Sequence, residues 1–192
     1  MDTYLTPALE EAREGTRHVF FVDAAHFVLG AWLGYLWCLH RILLPTPSGR
    51  QRFNVLGALH AITHEVVTVT NTTYINSESV VALLRQLAQQ FTDHPITLVL
   101  DNARYQRNHY VMAEAERLRI TLMWLPTYSP NLNLIERLWK LVKAECLHGR
   151  YYPTFAPFKQ AIIDCLADTT PTQKQKRASL LSLKFQVFDQ AS

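Results

Sequence analysis

ITLVLDNARYQRNHYVMAEAERLRITLMWLPTYSPNLNLIERLWKLVK, residues 96–143, holds two short apolar runs, ITLVLD (96–101) and ITLMWL (120–125). Apolar runs of this length bounded by turn residues read as buried strands. The segment between them predicts a helix over about 106–118. After Pro126 a Tyr-Ser-Pro-Asn turn leads into an amphipathic helix reaching about Cys146. Strand, helix, strand, helix in this order predicts two parallel strands joined by a right-handed crossover.

Working outward, HVFFVD (18–23) is a third apolar run that ends on an acid, and FVLGAWLGYLWCL (27–39) extends it as a ribbon. PTPSGRQR (45–52) has loop composition. FNVLGALHAIT (53–63) and EVVTVTNTTYI (65–75) predict an antiparallel hairpin turning near His64. Ser77 is placed as the cap of a helix whose Val80, Leu83, Leu84, Leu87 and Phe91 recur at helical spacing. Near the N-terminus, Thr6 as N-cap, Pro7 at the first helical position, Glu10 and Glu11, and Gly15 as stop predict one short helix. TFAPFKQAIIDCLA (154–167) and KQKRASLLSLKF (174–185) predict two more. The order β-β-β-α-β-α-β-α with extra helices predicts an α/β fold. It is a mixed sheet of three antiparallel strands then two parallel ones, with helices on both faces, the pattern of the ribonuclease H-like fold. The expected organisation is a linker helix over 1–16, one catalytic domain over 17–168 and a helical tail over 169–192.

A chain of 192 residues, 48% apolar and 18% charged, supports one packed domain. No apolar run reaches the roughly 20 residues that span a bilayer, so no membrane is expected. The acidic N-terminus lacks the apolar core of a signal peptide. Cys38, Cys146 and Cys165 form no CxxC pair, and a reducing cytoplasm fits. The eight histidines are read as surface or satisfied core residues, not as a zinc site. The net charge of +3 is small, but basic residues gather after position 100, including Arg104, Arg107, Arg137, Lys140, Lys143 and KQKR at 174–177. Such a half fits either solvated helix faces or a phosphate backbone.

Asp23 and Asp101 both end apolar runs. An Asp there is commonly a turn-former that bonds the next backbone amides. Two carboxylates on neighbouring strands also repel, unless a cation or proton lies between them. Glu136 has several readings. Asn133 as N-cap would make it the third residue of a capping box. Ser129 as cap, with Pro130 first in the helix, would leave it beyond the first turn. Lys140 could pair with it at the surface, for about 0.3–0.5 kcal/mol. On a helical wheel Glu136, Trp139, Lys140 and Lys143 share one face, and Leu134, Leu138, Leu141 and Val142 the apolar one. The reading that joins all three acids makes them hard oxygen ligands for Mg²⁺ or Mn²⁺. Two such ions suit phosphodiester chemistry.

VFFVDAAHF, LVLDNARYQ and LPTYSPNLNLIERLWKLVK, in that order, resemble the catalytic domain of bacterial insertion-sequence transposases of the insertion sequence 630 family, in the DDE and Tc/mariner superfamily. The 34 residues between Asp101 and Glu136, and the Tyr-Ser-Pro-x-x-Asn-x-x-Glu segment with Trp139, carry the resemblance over about 15–150. It implies Asp23, Asp101 and Glu136 as a catalytic, metal-binding triad for two Mg²⁺ ions, with Mn²⁺ able to substitute. It implies nicking of DNA at transposon ends and attack of the freed 3′-hydroxyl on target DNA, typically at TA. It places Tyr128, Ser129 and Asn131 at the rim of the site. Arg104, Arg137, Lys140 and Lys143 are the candidates for phosphate contacts. Gln106 stands where many relatives have His, Leu134 where many have Pro, and Ala24 where an acid often follows Asp23. Relatives carry helix-turn-helix modules ahead of this domain. A separate recognition polypeptide, from a split frame, or a truncated copy is therefore expected, and so is a homodimer that handles two ends together. A nuclease without strand transfer and an inactive nucleic-acid-binding remnant are the alternatives.

Overall fold

The computed structural model of the chain describes residues 2–30, 51–126, 133–181 and 183. Its elements are α1 (Asp2–Arg13), β1 (His18–Val28), β2 (Arg52–His60), β3 (Val66–Asn71), α2 (Ser77–Gln90), β4 (Ile96–Leu100), α3 (His109–Arg117), β5 (Ile120–Trp124), α4 (Ile135–Cys146), α5 (Phe155–Ala167) and α6 (Pro171–Leu180). The sheet runs β3-β2-β1-β4-β5. β3, β2 and β1 pair antiparallel, and β1, β4 and β5 pair parallel. This is the mixed five-stranded sheet of the ribonuclease H-like fold that the order of apolar runs predicts.

Strand alternation splits the core between the two faces. Phe20, Val22, Leu56, Ala58, Leu98 and Leu100 pack with Val80, Leu83, Leu84 and Leu87 of α2 and with Val111 and Ala115 of α3. Val19, Phe21, Ala25, Phe27, Val55, Leu59 and Val99 face the other way. They pack with Leu5 and Leu9 of α1, Ile135, Leu138, Trp139 and Val142 of α4, and Phe158 and Ile162 of α5. Helices therefore cover both faces.

Three local readings change. α1 begins at Asp2 and carries Pro7 inside, so Thr6 is not its cap. Proline there removes one backbone bond. The buried stripe Leu5, Ala8, Leu9 and Ala12 explains why the helix continues through it. Gly15 does end that segment, at φ 75°. The cap of α2 is Asn76 rather than Ser77, with a capping box closed by Ser79. The helix expected from 106 starts at His109, because Asn108 takes the cap and accepts from the Tyr110 amide at 2.8 Å. The β2–β3 hairpin turns as expected, with His64 at φ 59°. The ribbon expected to 39 is seen to Val28, and its remainder beyond residue 30 lies outside the described residues.

Candidate active site

The β1–β4 pairing ends at Val22↔Leu100. Asp23, still within β1, and Asp101, just past the end of β4, follow directly, so the register brings both acids to the same end of neighbouring strands. Asp23 also has the parity of Phe21 and Ala25, whose side chains lie in the cluster under α4. Across β1 on its other side stands Gly57, paired with Asp23.

Asp101 keeps the turn-forming role in part. Its Oδ1 accepts from the Ala103 amide at 3.3 Å, across Asn102 at φ 79°. The side chain is nevertheless exposed.

No side chain caps α4, which begins after Leu134. Asn133 is buried and turned toward the sheet, where its Nδ2 donates to the Val22 carbonyl at 3.4 Å. Only its backbone carbonyl receives the Glu136 amide, at 3.2 Å. The capping-box reading of Asn133 and Glu136 therefore fails, because the asparagine ties α4 to β1 one residue before Asp23. Ser129, the other candidate cap, lies outside the described residues, as do Tyr128 and Asn131.

Trp139 departs from the helical wheel. It is 5% exposed and packs against the sheet instead of joining the basic stripe. Its Nε1 donates to Asp23 Oδ2 at 3.0 Å. Glu136, one turn earlier, is half-buried, while Lys140 is exposed.

The acids sense one another. Burial pushes the Asp23 carboxyl up to about 6, and the charges of Asp101 and Glu136 push the same way. The Ala24 amide and the Trp139 indole oppose this. Glu136 is also raised, first by burial and then by Asp101, against Lys140. The Tyr105 phenol is raised by burial and by the charges of Asp101 and Asp23, which places it beside the same pair. Clustered like charges of this kind favour a cation, and three carboxylates are the donor set of a hard divalent ion. Among the described residues no three such side chains stand close enough to form a metal shell.

Of the basic candidates, Arg104 and Lys140 are exposed, and Arg137 and Lys143 half-exposed. Arg137 Nη1 reaches the Leu180 carbonyl at 3.4 Å. Gln106, in the place of the relatives' His, is fully buried, and its Oε1 receives the Ala103 amide at 3.2 Å. It braces the loop that follows Asp101. A cavity of about 650 Å³ lies away from the acids, between the β2–β3 turn and α5–α6, where His64, Lys174 and Arg177 line it.

Sequence reasoning missed Gly57, Tyr105 and the inward turn of Trp139. Nothing local marks Gly57, since its meaning depends on an indole 82 positions away in sequence.

The other end of β1 holds a second titratable group. His60 Nδ1 accepts from the Ile62 and Thr63 amides, both at 3.1 Å. That leaves the proton on Nε2, which donates to His18 Nδ1 at 3.0 Å. His18 Nε2 in turn donates to Asp93 Oδ1 at 2.9 Å. Burial first, then the charges of His18 and His64, push His60 down to about 4.

The sheet is ribonuclease H-like, with acids at the ends of adjacent parallel strands and a third on the covering helix. The family model described as DDE superfamily endonuclease matches residues 18–159. The chain belongs to that family. It is 27% identical over 125 residues to the insertion element IS630 uncharacterized 39 kDa protein of Shigella sonnei, covering 64% of this chain and 36% of that protein. Its fold matches the Mos1 transposase paired-end complex with left transposon end at a TM-score of 0.65 and 11% identity, over 96% of this chain and 58% of that one. It matches the catalytic domain of Mos1 mariner transposase at 0.61 and 11% identity, over 94% and 85%. The Mos1 mariner paired-end complex with Mn matches at 0.64 and 13% identity, over 94% and 57%. The chain thus spans about a third of the Shigella protein's length and little more than half of the Mos1 chains in the paired-end complexes.

Proposed function

We propose that this chain is the catalytic domain of a DNA transposase, with Asp23, Asp101 and Glu136 as its catalytic and metal-binding carboxylates. The observation that carries the reading is the match of residues 18–159 to the DDE superfamily endonuclease family, on a sheet whose adjacent parallel strands β1 and β4 bring Asp23 and Asp101 to one end, where burial and both other acids raise the Asp23 carboxyl. Two divalent cations, Mg²⁺ or Mn²⁺, would supply activation of the attacking oxygen and neutralisation of the phosphodiester charge. The protein's own part is positioning. β1 and β4 fix two carboxylates from one sheet, α4 brings the third, and Asp23 must lose its proton to serve.

Arg104, Arg137, Lys140 and Lys143 would meet DNA phosphates, and Tyr128, Ser129 and Asn131 would shape the rim. The substrate is transposon-end DNA and then target DNA, with TA as the target step. Pairing of two ends calls for a homodimer, and end recognition for a helix-turn-helix module, as a domain or a separate polypeptide. The matched Mos1 structures are paired-end complexes, and the shared fold brings the pairing of two ends here as a reading. The Shigella relative makes a bacterial setting, with action on nucleoid DNA in the cytoplasm, part of the same reading.

Pre-cut oligonucleotide ends with free 3′-hydroxyls, a plasmid target, Mg²⁺ and a supplied recognition domain test it. Joined products establish strand transfer, and nicking without joining establishes a nuclease. DNA binding without either establishes the inactive remnant.

A further inference from the structure

Trp139 is held on three sides. Its Nε1 is 3.0 Å from Asp23 Oδ2. Its ring meets Phe27 edge-on, at 6.4 Å between centroids and 80° between planes. Its six-membered edge lies over Gly57, the residue paired with Asp23 across β1–β2. A Cβ at position 57 would stand 2.7 Å from Trp139 Cη2, 3.0 Å from Cζ2 and 3.0 Å from Ile135 Cδ1. Real side chains do not approach so closely, so only glycine leaves room for the indole to reach Asp23. Glu136 is three residues before Trp139 on one continuous helix. Where the indole seats therefore also sets where Glu136 stands relative to β1.

We infer that Trp139 is a positioning residue for the acid site: seated on Gly57, its indole N–H fixes Asp23 Oδ2, which orients the carboxylate and keys α4 to the strand that bears it. The inference rests on Asp23 being a metal-binding carboxylate. A buried indole N–H needs an acceptor, but that need alone gives no reason for the acceptor to be this carboxylate. Groups that orient a metal's ligands usually govern affinity by about 10- to 100-fold.

The test is Mn²⁺ binding, followed by the electron paramagnetic resonance of the free ion, together with thermal melting of the metal-free chain. W139F keeps a buried ring and removes the donor. It is expected to weaken Mn²⁺ binding about 10-fold or more, with a melting loss that replacement of one large core ring by another accounts for. Wild-type affinity in folded W139F would overturn the inference. G57A, which leaves the donor in place but crowds its seat, is expected to weaken binding likewise. Phe has no atoms where Trp139 Cη2 and Cζ2 lie, so W139F/G57A should bind no worse than W139F alone. Unchanged binding in G57A, or a further 10-fold loss in the double variant, would overturn the seat. D23N is the control on the underlying reading. If D23N binds Mn²⁺ like the wild type, the acid site is not where the metal goes, whatever W139F does.

Discussion

The two ends of β1 each gather titratable side chains, and they treat them in opposite ways. At the His18 end every ring nitrogen of the pair has a partner, in a chain from the Ile62 and Thr63 amides through His60 and His18 to Asp93. His60 is neutral and satisfied there. At the Asp23 end burial and neighbouring negative charge raise Asp23 and Glu136, and the compensation is one indole, one amide and an exposed lysine. Buried polar groups are normally paired, and those left in electrostatic conflict tend to mark functional sites. The first end reads as architecture and the second, under the proposed function, as the acid site.

The largest expected difference between the ends is in activity. D23N, D101N and E136Q should each lower Mg²⁺-dependent cleavage by on the order of 10³-fold, about 4 kcal/mol in the barrier. H60Q should leave cleavage near the wild-type level when assayed below its melting temperature. Full cleavage by any acid variant removes that residue from the mechanism.

Metal should then act on one end only. Saturation at about 100 times the dissociation constant stabilises by about 2.7 kcal/mol. In a chain of this size that amounts to a melting rise of roughly 5–10 °C. Chelation should reverse it, D23N should abolish it and H60Q should keep it. Equal rises in wild type and D23N would break the contrast.

Between pH 4 and 6.5 the two ends should pull metal-free stability in opposite directions. Asp23 is raised from 3.8 to about 6, so the folded state binds the extra proton. Its penalty is absent below about 4 and grows as pH rises through 6. His60 is lowered from 6.5 to about 4, so the unfolded state binds the extra proton, and stability is lost as pH falls from 6.5 toward 4. Each effect reaches at most about 3 kcal/mol before solvent screening reduces it. D23N should gain on the wild type as pH rises through this window in denaturant melts. The wild type's advantage over H60Q should shrink as pH falls. Parallel pH curves for wild type and D23N would remove the conflict assigned to the acid end.

The smallest effect belongs to the basic rim. Removing the charge of Arg104 or Lys140 should flatten the salt dependence of DNA binding by about 0.9 in log–log slope for each lost phosphate contact. An unchanged slope dismisses that residue.

The acid end was partly legible in the sequence and the packing that serves it was not. Apolar runs that stop at Asp23 and Asp101 disclose strand ends, and the order of runs discloses which strands neighbour one another. The helix carrying Glu136 is visible from its periodicity. Its rotation is not, because the wheel grouped Trp139 with Lys140 and Lys143. A tryptophan can serve either a polar stripe or the core, and the choice was made by Gly57 on a distant strand. Asn133 misled for a similar reason. An asparagine before a helix is a good cap, but tertiary contact gave its side chain the Val22 carbonyl instead. The starts of α1 and α2 moved because buried stripes and competing caps outweigh single-residue preferences.

The central claim is that Asp23, Asp101 and Glu136 hold divalent cations together. Anomalous diffraction from crystals of the chain soaked in Mn²⁺ tests it most directly. Manganese peaks are expected between the Asp23 and Asp101 carboxylates and against Glu136. Well-ordered crystals with manganese bound elsewhere, and none at these acids, would contradict it.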